Sequence, residues 1–93
     1  MELTSGQRRA LKARGNRIKA SVTISAEDLS EAAVEHVRRA FARRDLIKVR
    51  LVTDDRELCD RAAAELARRV PCHLVQRIGR VALLYRPVEN ADT

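Results

Sequence analysis

The chain has 93 residues, 45% hydrophobic and 34% charged, enough for one modest core and a single domain. Lys and Arg outnumber Asp and Glu by 19 to 13, a formal charge of +6 with a pI near 10.3, so a polyanion is the natural partner. No apolar run approaches the roughly 20 residues of a membrane span, Met1-Glu2 opens without the features of a secretory leader, and two cysteines are too few for a disulfide scaffold.

Thr4-Ser-Gly-Gln7 has the spacing of a capping box and predicts a first helix running to about Arg14, stopped by Gly15-Asn16. The β-branched stretch 20–24 predicts a short strand. A second helix is expected over about 29–44, because Leu29, Ala33, Val37, Ala40 and Phe41 recur along one face. Residues 46–52 alternate, with Ile47, Val49 and Leu51 on one side and Lys48 and Arg50 on the other. Thr53-Asp54-Asp55 supplies cap candidates for a third helix over about 56–69, ended by Pro71. Stretches 72–78 and 80–86, joined at Gly79, read as an antiparallel hairpin. The order α-β-α-β-α-β-β predicts a compact α/β domain over residues 1–87 with a mixed four-stranded sheet, followed by a flexible tail over 88–93.

Charge is segregated along this order. Residues 1–24 carry a net +5, residues 25–37 a net −4 and residues 38–50 a net +5, while 51–70 and 71–93 come to −1 and +1. Arg supplies 16 of the 19 cations, and a guanidinium grips phosphate in a planar fork where Lys is a point charge. The strand bearing Lys48 and Arg50 fits either a solvated sheet face or a phosphate-contacting one. On the second reading Lys48, Arg50, Arg77, Arg80 and Arg86 join Arg8, Arg9, Lys12, Arg14, Arg17 and Lys19 in one phosphate-contacting surface. Phe41 and Tyr85 are the only aromatics, so backbone charge and shape, not a platform of stacked bases, should dominate binding.

No catalytic constellation emerges. The acids at 54–57 suit a helix N-terminus, and His36 and His73 neighbour no nucleophile at a recognisable spacing. Cys59, Cys72 and His73 lack a fourth zinc ligand, so reduced and mostly buried thiols are expected. There is neither GxxxxGK[ST] nor GxGxxG. The expectation is a protein that is not an enzyme and has no metal or cofactor.

Leu3-Thr-Ser-Gly-Gln-Arg-Arg-Ala-Leu-Lys12, Asp45-Leu-Ile-Lys-Val-Arg50, Thr53-Asp-Asp-Arg-Glu57 and Val75-Gln-Arg-Ile-Gly79 running into Leu83-Leu-Tyr-Arg-Pro87 together resemble the YhbY-like CRM (chloroplast RNA splicing and ribosome maturation) family over residues 3–87. The resemblance implies a fold like the C-terminal domain of translation initiation factor three. It also implies RNA binding and, for stand-alone bacterial members, association with the precursor of the large ribosomal subunit. A cytoplasmic monomer that binds ribosomal RNA, with ribosomal proteins as further partners and no membrane attachment, is the corresponding expectation.

One stretch departs from the family pattern. Members carry a GxxG loop before the second helix, comparable to the backbone clamp of KH modules. The matching positions here are Ser25, Ala26, Glu27 and Asp28. Ser25 or Asp28 is expected to cap the helix donors that glycines would leave open, and two carboxylates repel phosphate. RNA contacts moved to the N-terminal block and the sheet, an acidic loop that meets a basic ribosomal protein, and lost RNA affinity all fit this departure. The alternative function is a protein–protein adaptor on the ribosome that uses the acidic segment 27–35.

Overall fold

The computed structural model describes residues 2–42 and 44–87. Arg43, within the expected span of the second helix, and the expected tail 88–93 lie outside the described residues. The elements follow the expected order: α1 (Ser5–Gly15), β1 (Ala20–Ser25), α2 (Glu31–Ala40), β2 (Leu46–Val52), α3 (Arg56–Arg69), β3 (His73–Ile78) and β4 (Val81–Tyr85). The four strands form one mixed sheet in the order β1-β2-β4-β3. β1 and β2 are parallel, and β4 pairs antiparallel with both β2 and β3. The last strand therefore inserts between β2 and β3 and places β2 inside the sheet.

Each helix begins at a side-chain cap. Thr4 accepts from the Gln7 N–H while the Gln7 side chain accepts from the Thr4 N–H, completing the capping box on α1. Asp55 accepts from the N–H groups of Glu57 and Leu58 on α3. On α2 the cap is Ser30, whose Oγ accepts from the Ala33 N–H, rather than the expected Ser25 or Asp28. That helix is also shorter than its pattern of apolar residues suggests. Its Ser30 cap fixes the start, and at Phe41 the N–H turns back to the carbonyls of Arg38 and Arg39. Gly79, with φ of 59°, opens the two-residue turn between β3 and β4, a conformation L side chains rarely adopt.

Alternation along β2 separates the two faces. Ile47, Val49 and Leu51 are completely buried and meet Val22, Ile24, Ala82 and Leu84 under α2 and α3. Burial of each such side chain contributes about 1.5–3 kcal/mol, so this face dominates stability. The opposite face is covered only in part. There α1 packs Leu11 against Leu46, Val75 and Leu83, with Leu3, Ile18 and Tyr85 at the margin. Beyond the end of α1 the sheet is open: Lys48 is half-buried, and Arg50 and Val52 are exposed.

Candidate nucleic-acid interface

The open half of the sheet forms a groove of about 640 Å³ beside the end of α1. Three segments build it. After α1 the chain turns at Asn16, the Ile18 N–H donating to the Gly15 carbonyl, and brings Ile18 and Lys19 to one wall. The floor is the outward face of the strands: Thr23 from β1, Lys48 and Arg50 from β2, Val81 and Leu83 from β4. Register explains the grouping, since Thr23 pairs with Arg50, Lys48 with Leu83 and Arg50 with Val81. Gln76 and Ile78 from β3 form the far wall.

The groove lining holds three cations and no carboxylate. It also holds no aromatic residue. Phe41 is buried in the core beneath α2, and Tyr85 sits at the margin of the α1 core and stacks with His73 at a centroid separation of 6.1 Å. Ile78, 65% exposed, gives the rim an apolar contact. A chain of phosphates with intervening sugars or bases matches this mixture of cations, amides and aliphatic surface.

The predicted cations are dispersed. Lys19, Lys48 and Arg50 share the groove. Arg9, Lys12 and Arg17 are exposed along α1 and the turn after it, outside the groove lining. Four others hold the fold together. Arg8 donates to the carbonyls of Leu74 and Val75, at 3.0 and 2.5 Å, and fastens α1 to β3 at the edge of the sheet. Arg14 makes two bonds to Asp45, at 2.7 and 3.3 Å. Arg77 bonds Asp60 and the Gly79 carbonyl, and Arg80 bonds the Thr53 carbonyl. Arg86 lies near Cys72 on the α3 side of the sheet, away from the groove. The sequence pattern showed Lys48 and Arg50 but not Asn16, Thr23, Gln76 or Ile78, whose polar or exposed character gains meaning only from register.

At the loop where the family has its glycines, the backbone donors are used internally. Ala26 is buried and its N–H bonds the Val52 carbonyl at 3.1 Å. The Glu27 N–H bonds Ser25 Oγ at 3.2 Å, and the Asp28 N–H bonds the Ser25 carbonyl at 3.3 Å. With Ser30 capping α2, these donors are not presented as an open cradle for phosphate.

No group of three or more His, Cys, Asp or Glu side chains among the described residues is placed to hold a metal ion. Cys59 is buried and Cys72 half-buried, both as free thiols. Burial pushes the Cys72 thiol up to about 11 against a weaker opposing pull from Arg86. No helix among the described residues is long and apolar enough to cross a membrane.

The fold and the matching sequence place the protein in a defined class. The chain belongs to the CRS1/YhbY (CRM) domain family, whose model matches residues 3–86. Among its relatives, a Pseudomonas aeruginosa protein named "Probable RNA-binding protein" is 35% identical over 88 residues, covering 92% of this chain and 83% of that protein. A Haemophilus influenzae protein named as an RNA-binding protein is 29% identical over 89 residues, covering 96% and 90%. The solution structure of a hypothetical protein from Staphylococcus aureus superposes with a TM-score of 0.83 at 25% identity, over 96% of this chain and 93% of that one.

Proposed function

We propose that the chain binds RNA, holding the sugar-phosphate backbone in the groove through Lys19, Lys48 and Arg50, with Arg9, Lys12 and Arg17 extending the cationic surface over α1. The observation that carries this reading is the groove itself: three cations on an uncovered sheet face, without a carboxylate among its lining residues. Relatives named for RNA binding support the class of ligand. The family resemblance supports a narrower target, ribosomal RNA in the precursor of the large subunit; a cytoplasmic monomer without catalysis or a cofactor completes the reading.

The adaptor reading has less in its favour. Of the four carboxylates in segment 27–35, Glu35 is held by Arg38 and Arg39 and Glu31 by Arg69. Hydrogen bonding to Arg38 holds the Glu35 carboxyl below its usual range. Among the described residues, Glu27 and Asp28 are the carboxylates of this segment that form no ion pair.

Titrating a fluorescent large-subunit RNA fragment at several salt concentrations tests the proposal. Affinity should fall steeply as salt rises, and combined Lys19→Glu, Lys48→Glu and Arg50→Glu changes should abolish binding. A flat salt dependence would overturn the electrostatic mechanism. Sedimentation of cell extract tests the ribosomal target, since co-migration with a large-subunit precursor is expected and its absence would remove that narrower claim.

A further inference from the structure

The groove does not end at Arg50. That residue also lines a second, smaller pocket of about 490 Å³, beyond the C-terminal ends of the parallel strands β1 and β2. Its composition differs sharply from that of the groove. Ser25, Glu27, Val52, Thr53, Asp54 and Arg80 surround it together with Arg50, so two carboxylates face two guanidinium groups. Glu27 and Asp54 form no ion pair with the described residues, unlike Glu31, Glu35, Asp45, Asp60 and Glu65.

The walls of this corner are held in place. Ser25 Oγ fixes the Glu27 backbone, and the Ala26 N–H ties the same turn to Val52. Thr53 is buried; its hydroxyl accepts from the Asp55 N–H and its carbonyl from Arg80. Val52, 52% exposed, offers an apolar surface beside them.

Glu27 and Asp54 offset the two guanidinium groups, so this corner lacks the excess positive charge of the groove and suits a group that donates hydrogen bonds to a carboxylate while accepting from an arginine. An ionised carboxylate only accepts. Among the four RNA bases, guanine alone presents two adjacent donors, N1–H and the exocyclic amine, to both oxygens of one carboxylate. Its O6 and N7 are the acceptors to which an arginine donates as a pair. Unpaired RNA bases are read on these edges when they are splayed from the strand.

Building on the RNA-binding reading, we infer that this corner is a guanine-selective base pocket, in which Glu27 or Asp54 accepts from the Watson–Crick edge, Arg80, held at Nε by the Thr53 carbonyl, donates through its Nη groups to O6 and N7, and the backbone continues along the adjoining groove where Arg50 meets phosphate. The loop that lacks the family's glycines then selects a base instead of clamping a phosphate.

The test uses fluorescent uridine undecamers carrying G, A, C, U or inosine at the central position, with the full chain and with its E27Q/D54N variant checked for folding by circular dichroism. The central-G oligomer should bind tighter than the all-U oligomer by about fivefold to a hundredfold. Inosine, which lacks the exocyclic amine, should lose part of that advantage. In E27Q/D54N the preference should drop below about twofold while all-U binding stays equal or tightens as repulsion is relieved. Equal affinity for all bases, equal gains for G and A, or a G preference that survives in the variant would each overturn the pocket and leave RNA binding intact. Failure of every oligomer to bind would also overturn the pocket, while failure of the large-subunit RNA fragment to bind as well would overturn the RNA reading with it.

Discussion

Gly15, the last residue of α1, rests directly on Leu83: a Cβ at Gly15 would stand 2.7 Å from one Leu83 methyl and 2.9 Å from the other. Leu83 is itself buried between α1 and the sheet, so it has little room to yield. The absent side chain lets the end of the helix reach the sheet and lets the following turn carry Lys19 to the groove. Gly15→Ala should destabilise the protein by about 1–3 kcal/mol through overpacking, more than the up to about 1 kcal/mol that helix propensity returns. Urea denaturation measures this. Combined with Leu83→Ala, which opens the space, the cost should be clearly less than additive.

The dispersed cations predict two separable phenotypes. Lys48→Gln and Arg50→Gln should each weaken RNA binding and reduce the slope of log K against log salt by about one unit, with stability close to wild type. Arg8→Ala removes the donor to two backbone carbonyls in a half-buried site and should cost about 1–3 kcal/mol in stability. Parallel salt titrations and denaturation curves on the three variants separate binding from folding. An Arg8 variant of unchanged stability would show that its bonds to β3 contribute nothing.

These phenotypes also mark what was legible from sequence. Period-two alternation at Ile47, Val49 and Leu51 showed which face of β2 enters the core, and Gly79 placed the hairpin. The insertion of β4 beside β2 was not legible, because alternation assigns faces and not neighbours. Yet it is this insertion that sets Val81 and Leu83 next to Arg50 and Lys48. Counting charges likewise could not separate cations available to a ligand from those already engaged. Arg8 meets carbonyls 66 and 67 positions away, and Arg14 meets a carboxylate 31 positions away; only folding brings those partners together.

The Arg14–Asp45 pair predicts a modest acid dependence. Hydrogen bonding to Arg14 holds the Asp45 carboxyl below its ordinary value of 3.8, so its contribution is fully present above that value and is lost as pH falls through the lower folded value. Arg14 is about half exposed and Asp45 about one-third, which limits the pair to under about 1 kcal/mol. Asp45→Asn should therefore be slightly less stable than wild type at pH 6, and the difference should shrink toward pH 2. A gap that stays constant over this range would assign the cost to packing rather than to charge.

Cys72 gives a dependence of opposite direction at alkaline pH. Burial raises its thiol from 9.0 to about 11, so the folded state favours the protonated form. The associated stability is fully present below the unfolded value and is lost as pH rises from about 9 toward 11. The same shift leaves little thiolate near neutrality, and thiolate is the reactive species. Iodoacetamide at pH 8 should therefore modify Cys72 in the folded chain far more slowly than in the urea-unfolded chain, and the folded rate should climb steeply up to about pH 11. Mass spectrometry of the labelled peptide, with Cys72→Ser as the control, measures both rates. Equal labelling of folded and unfolded chains at pH 8 would show that the surroundings of Cys72 neither bury the thiol nor raise its pKa.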